Sequence, residues 1–341
     1  ARKAAMNTEY LPGKLPIEHL RRLLAQYTRS DGRVVLGPGV GHDAAVISFG
    51  NRYLVAKTDP ITFASDEIGW YAVHVNANDI ACLGAAPRWF MVTLLLPASA
   101  TDAALVDGIF QQIAEACESV GAVLVGGHTE VTPRLDQPVA VGCMLGEAAT
   151  DRLIRSDGAQ PGDALILTKG IAVEGTAILA RELDDRLAGL NPSLIERSRG
   201  LLHNPGISVV RDAQVAAAAG EVHAMHDPTE GGLATALCEM ALASDNGLII
   251  EEDAIRVLPE THALCAHLGL DPLGLIASGA LLIAAHASTA GAILAALERA
   301  GIPASRIGTV TDPGGEIVIR SNAGIRAMPR FDQDEITRMF P

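Results

Sequence analysis

Five carboxylates in this 341-residue chain stand apart from the charges that keep a surface soluble. Asp43 follows GPGVGH at 37–42, Asp59 ends the strand in AKTDP, Asp79 lies in VNANDIACLGA, Glu130 ends GGHTE and Asp227 opens DPTEGGL. As a set they mark strand ends and glycine turns rather than amphipathic outer faces. Each has an ordinary explanation. Asp59 before Pro60 suits a turn, Asp227 before Pro228 suits a helix cap, Asp79 suits a solvated helix position, and the glycines before Asp43 suit a tight turn. Asp79 fits its explanation least, because Ile80, Ala81 and Leu83 beside it are apolar and a carboxylate buried alone is costly. The alternative chemistry is a hard cation on a phosphate chain. Mg²⁺ needs only one or two carboxylates plus phosphate oxygens, and isolated aspartates with glycine turns and no His/Cys cluster suit it better than zinc. Gly37, Gly39 and Gly41 could then bring backbone N–H groups to an anion beside Asp43. The stretch is neither a Walker A loop nor G-x-G-x-x-G. Lys57 and Lys169 each end a strand near these loops, and Lys57 is the preferred phosphate contact.

These residues need elements to hold them. Asn76 and Asp79 are three apart and share a face of a helix over about 68–83, where Val73, Ala77, Ile80 and Ala81 repeat at helical spacing. Strands are expected at 44–49 and 53–57, in WFMVTLLL, AVLV, VAVGCMLG, ALILTKG and LLIAAH, and near RIGTV and EIVIR. Residues 1–30 read as a leader with one short amphipathic helix, IEHLRRLLAQY. Further helices are expected from about Asp102 to Ser119 with Gly121 as the stop, across EGTAILARELDD, from a Ser208 cap to Ala219, after DPTEGGL to an Asn-Gly stop, and after Ser288. The polar segment RSDGAQPGD at 155–163 is the best boundary, giving units 1–154 and 155–341. Mixed strands and helices of this length suggest two α+β sandwich domains.

Composition narrows the partners. Hydrophobic residues make up 49% and aromatics only 4%, so aliphatic side chains fill the core. A formal charge of -14 disfavours nucleic acid and anionic membrane as partners. An anionic substrate would need a local device such as a metal ion. Five cysteines without a CxxC pair point to a reducing, cytoplasmic setting, and no apolar run is long enough to span a membrane.

In this order the motifs resemble the AIR synthase (PurM-like) superfamily, most closely its hydrogenase maturation factor branch, HypE, and then its thiamine-monophosphate kinase branch, ThiL. GHDAAVI is similar to that family's GDDAAV, KTDP to its Thr-Thr-Asp strand end, and VNANDIACLGA to its Asn-Asp helix. GGHTEV is similar to its Gly-Gly-Asp-Thr, and DPTEGGLATAL to the start of a C-domain helix. The resemblance implies an N-terminal α/β domain that dimerises through its strands, a C-terminal α/β sandwich domain, and ATP in a cleft under a glycine-containing segment. It implies Asp43, Asp59, Asp79, Glu130 and Asp227 around Mg²⁺. Gly37, Gly39, Gly41, Lys57, Asn76, Asn78, Gly127, Thr129 and Asp227 would surround the nucleotide, and Asp43, Asp79 and His128 would serve catalysis.

Three departures qualify these expectations. His42 and His128 replace family aspartates, with Glu130 on the same strand face as His128. Glu230 replaces the family's arginine. ITRMFP stands where HypE has its Pro-Arg-Ile-Cys tail nucleophile, and Cys265 reads as a buried helix thiol. The expected function is an ATP- and Mg²⁺-dependent enzyme that activates an amide-like or other oxygen of a small substrate by phosphoryl transfer, as a homodimer, with a possible maturation partner protein. The alternatives are a ThiL-like small-molecule kinase and a nucleotide-binding regulator with little turnover.

Overall fold

The computed structural model describes Tyr10 and residues 15–39 and 42–340. Its first sheet contains β1 (Val34–Leu36), β2 (Ala45–Phe49), β3 (Arg52–Ile61), β4 (Ala86–Pro97), β5 (Val123–Thr132) and β6 (Val139–Ala149), in the order β1-β2-β3-β6-β4-β5. All neighbours are antiparallel except β4 and β5. A parallel pair needs a crossover, and α3 (Ala103–Val120) supplies it. Asp102 caps that helix by accepting the Leu105 N–H, and Gly121, the stop the sequence predicts, closes it in the left-handed conformation. A short helix, α1 (Ile17–Tyr27), precedes the sheet.

Helix α2 (Ile68–Cys82) lies on β3, β6 and β4, and every residue of it except Trp70 is buried. A helix that is apolar nearly all round needs cover on every side, and α3 and α6 (Val210–Ala219) provide it. Its close seat on the sheet depends on two glycines of β6. A Cβ at Gly142 would lie 2.3 Å from Asn76 Nδ2, and one at Gly146 would lie 2.3 Å from Ile80 Cγ2.

The second sheet holds β7 (Ala164–Thr168), β8 (Val222–His226), β9 (Asn246–Glu251), β10 (Leu282–Ala285), β11 (Ala304–Pro313), β12 (Ile317–Ser321) and β13 (Gly324–Ala327), ordered β13-β12-β9-β11-β7-β10-β8. Its helices are α4 (Val173–Glu182), α5 (Pro192–Gly200), α6, α7 (Gly232–Ser244), α8 (Pro259–Leu268) and α9 (Ala290–Arg299). Both faces of β7 are buried. Ala164 and Ile166 join a core continuous with the first sheet, while Leu165 and Leu167 face a second core under α7, as strand alternation requires. Between β7 and α4 the backbone turns through Lys169, Gly170 and Ala172, all with positive φ (58°, 148° and 56°).

Four local expectations are corrected. Strand β3 continues past Asp59 because Asp59 and Pro60 keep their register with Gly142 and Val141. Strand β5 likewise continues past Glu130 to Thr132, alongside β4. Helix α6 starts after Val209, and Ser208 Oγ only accepts a long 3.4 Å bond from the Val210 N–H. Asp245, not Asn-Gly, ends α7 in the left-handed conformation, and Asn246 and Gly247 already belong to β9.

Candidate active site between the two sheets

Five segments bring carboxylates together. Lys57 and Asp59 are two apart on β3 and share a face. Helix α2 lays Asp79 against them, so that Lys57 Nζ lies 3.0 Å from Asp79 and 3.1 Å from Asp59. Asn76, three residues before Asp79, accepts the Asp59 N–H at 2.8 Å and donates to the Ala72 carbonyl, clamping helix to strand. Asp43 stands just before β2. From the second sheet, β8 delivers His226 and the adjacent Asp227. His226 Nδ1 lies 3.0 Å from Asp43, and its Nε2 lies 3.0 Å from Glu239 on α7. Cys82 Sγ donates to Asp227 at 3.5 Å.

These charges share a poorly solvated space. Burial pushes the Asp79 carboxyl well above the usual carboxylate range; Lys57 opposes that rise, and Asp227, Asp43 and Asp59 add to it. Asp227 is pushed up as well, by burial first and then by Asp43, against the pull of His226 and Lys57. Burial works against charging Lys57 and His226, yet their carboxylate neighbours prevail and hold both as cations. Burial and the Asp227, Asp43 and Asp79 charges hold Cys82 as a thiol.

Five carboxylates thus face two cations. One oxygen of Asp227 is buried without a hydrogen-bond partner, an arrangement that calls for an explanation. Surplus negative charge and all-oxygen donors fit a hard divalent cation. Among the described residues no three His, Cys, Asp or Glu side chains are gathered as a ligand set for one ion. Phosphate oxygens and water would therefore have to complete its shell, as is usual for Mg²⁺.

Other expected residues lie elsewhere. His42 does not stand in for a carboxylate: its Nδ1–H donates to the Gly37 carbonyl at 2.9 Å and its ring covers Gly39, where a Cβ would lie 2.6 Å away. Gly41 falls outside the described residues. Asn78 turns from the cluster, donating to the Ile207 carbonyl at 2.9 Å and accepting the Val209 N–H at 2.8 Å, which ties the two halves of the molecule together. Gly127, Thr129, His128 and Glu130 lie on β5, at the sheet edge. Three strand spacings separate β5 from β3, about 14 Å. His128 and Glu130 share a face, as alternation predicts, and meet at 3.0 Å in the open. A Cβ at Gly127 would strike the Val92 carbonyl at 1.9 Å, so the strand itself requires this glycine. Lys169 is buried against Asp212 at 3.2 Å, away from the cluster. Cys265 is a buried helix thiol whose pKa burial pushes up to about 12.

A cavity of about 50 Å³ adjoins the cluster through Asp59. Phe63 from the first half and Glu174, Thr229, Glu230 and Ser278 from the second also line it. Burial pushes the Glu174 carboxyl up to about 8; the Glu230 and Asp334 charges add to this, and hydrogen bonding from Ser278 pulls it down. Asp334 braces the cavity from behind, accepting the N–H groups of Gly231, Ile276 and Ile336 at 2.6, 3.2 and 2.8 Å.

Residues 41–148 match the family described as AIR synthase related protein, N-terminal domain, and residues 160–321 match its C-terminal domain. The carbamoyl dehydratase HypE of Cupriavidus necator is 31% identical over 348 residues, covering 90% of this chain and 95% of that protein. The chain belongs to the AIR synthase-related family. A second relative of that name, from Rhizobium leguminosarum bv. viciae, is 31% identical, with 88% and 86% covered. Among solved structures, a hydrogenase maturation protein HypE in complex with ATP is 26% identical with a TM-score of 0.70, covering 94% of this chain and 93% of that one. The thiamine-monophosphate kinase of Stenotrophomonas maltophilia K279a, at 22% identity and a TM-score of 0.67, shares the fold. The two-domain α+β architecture is that of the AIR synthase-related family, and the Cupriavidus necator and Rhizobium leguminosarum relatives, matched over most of their length, carry an enzyme's name. Asp43, Asp59 and Asp79 lie in one family segment and Asp227 in the other.

Glu239 and Cys82 escaped the sequence reading. Glu239 carried a signal, a carboxylate on the otherwise apolar helix LATALCEMALA. Cys82 carried none, since a buried cysteine is commonplace.

Proposed function

We propose that the chain is an ATP- and Mg²⁺-dependent enzyme that activates an amide-like oxygen of a small substrate by phosphoryl transfer. One observation carries the reading: Asp43, Asp59, Asp79 and Asp227, spread over 185 positions of sequence, converge around Lys57 and His226. The relatives named carbamoyl dehydratase and the ATP complex of a 26%-identical protein support it. When bound, Mg²⁺ supplies charge neutralisation on the transferring phosphoryl group. One or two of Asp43, Asp79 and Asp227 would hold it, with phosphate oxygens and water completing the shell. Lys57 keeps Asp59 and Asp79 in place, and His226 orients Asp43. The protein contributes positioning and electrostatics, with little covalent chemistry of its own. The cavity beside Asp59 is the acceptor pocket.

The reading includes a homodimer. Strand β5 is a sheet edge, most of it exposed, with Val123, Val125 and Val131 uncovered, and an apolar edge of that kind invites a second strand. His128 and Glu130 would then face the partner copy. A maturation partner protein also belongs to the proposal, because a solved HypE–HypF complex shares this fold.

Calorimetric titration tests the nucleotide site. ATP with Mg²⁺ should release or absorb heat, and ADP should accumulate with at least one member of a panel of small amides. No heat with Mg²⁺ present would overturn the proposal.

A further inference from the structure

We propose that the second half of the molecule carries a separate anion site, a cavity of about 500 Å³ beside the turn from β7 to α4. It takes a small organic molecule that ends in an oxyanion, either a phosphate or a carboxylate. None of the described residues lining it belongs to the carboxylate cluster or to the smaller cavity at Asp59, so the inference does not depend on the nucleotide reading.

Charge comes first. The chain has a formal charge of -14, yet the cavity is lined by three cations, Lys169, Arg197 and Arg256, against one acid, Glu260. Arg197 Nε already holds Glu260 at 2.8 Å, and its Nη1 donates to the Ser193 carbonyl at 3.2 Å, which fixes that guanidinium with Nη2 left over. Lys169 is answered by Asp212 and the Ser208 carbonyl, and its ammonium keeps a third N–H. The Arg256 side chain, on the exposed rim, has no hydrogen-bond or ion-pair partner among the described residues. Arg256 is therefore the uncompensated charge, and its planar fork matches the edge of a carboxylate or phosphate.

The backbone shows, independently, that these walls are set as one unit. Lys169 has a φ of 58°, a conformation that a residue with a side chain keeps only where its surroundings enforce it. The enforcing contacts are the cavity's own walls. The Lys169 N–H donates to the Pro303 carbonyl at 2.6 Å, and the Ile171 N–H donates to the Arg256 carbonyl at 3.0 Å. Gly170 between them, with a φ of 148°, brings the turn close: a Cβ there would lie 3.1 Å from the Arg256 carbonyl oxygen. One strained turn thus places Lys169, Pro303 and Arg256 together.

Size and lining decide what accompanies the charge. About 500 Å³ is the volume of an ordinary small-molecule site. Leu201, Pro205, Leu258 and Pro303 offer apolar surface to an organic body, and no aromatic side chain lines the cavity among the described residues. A nucleobase would find nothing to stack on, so the ligand is a smaller acid or phosphate ester.

The test is a ligand-observed NMR titration of the intact chain with phenyl phosphate, phenylacetate and benzyl alcohol, joined to hydrogen exchange read by mass spectrometry. At least one of the two anions should bind, and the uncharged alcohol should bind at least tenfold more weakly. Phenyl phosphate alone would assign a phosphate ester, phenylacetate alone a carboxylate, and both a site that reads the charge. Arg256→Glu should weaken the binding tenfold or more, with thermal unfolding confirming that the variant folds. Bound anion should slow exchange at 197–206 and 254–260. Binding of neither anion, equal binding of the alcohol, undiminished binding in Arg256→Glu, or protection around Asp43 and Asp227 instead would each overturn the site.

Discussion

Asp79 shows how far single residues could be read. Its apolar neighbours in the sequence forced a choice between a costly isolated charge and a shared site, and the structure buries it against Lys57. Replacing it by Asn removes one oxygen ligand from the cluster while keeping the shape. Asp79→Asn should weaken Mg·ATP about 10- to 100-fold, about 1.4–2.8 kcal/mol, with unchanged circular dichroism; an unaltered affinity would remove it from the site. Glu174 was invisible in the sequence, because nothing in VEGTAIL marks that glutamate as buried. Its consequence is a pH dependence with a definite sign. The folded carboxyl keeps its proton up to about 8, whereas the unfolded one releases it near 4.5. Between those values the native state binds more protons, so stability falls as pH rises and the loss is complete above about 8. Glu174→Gln should flatten that slope and add on the order of 1–3 kcal/mol at pH 8.5 after allowing for local relaxation, measured by urea unfolding.

Among elements, α2 was legible because apolar residues on all its sides leave no solvated face, and β5 because GGHTEV alternates. Strand ends were misjudged where Asp-Pro resembled a turn, since pairing with β6 overrides that local preference. Asn78 was misassigned for a related reason: sequence places it beside Asp79 but cannot show a side chain reaching across to the other half. Asn78→Leu should strand a buried carbonyl and a buried N–H, costing about 2–4 kcal/mol, with a lower denaturation midpoint as the readout. The segment around Asp334 was not singled out by the sequence at all. Its three N–H contacts become apparent only when Gly231 and Ile276 are brought to it by the fold. Asp334→Ala should cost a similar amount, with Asp334→Asn recovering part of it, because one acceptor oxygen remains.

At the scale of the molecule, the cluster exists only because two family segments close on one another, each bringing carboxylates the other lacks. No helix among the described residues is long and apolar enough to cross a membrane, and Val123, Val125 and Val131 lie exposed on the β5 edge. Val125→Lys on that edge should shift wild-type dimers to monomers in light scattering, since an edge charge blocks strand addition. A wild type that is already monomeric would remove the dimer from the proposal.

Lys57 gives the assembly one further property. A tethered ammonium held between two aspartates is a resident counter-ion at fixed local concentration, so these carboxylates need no exchangeable cation to tolerate their burial. Maturation of the chain is thereby uncoupled from metal supply: chelators should silence turnover yet leave the melting temperature within about 2 °C, while Mg·ATP raises it. An incoming divalent ion has to compete with a tenant it can never expel from the molecule.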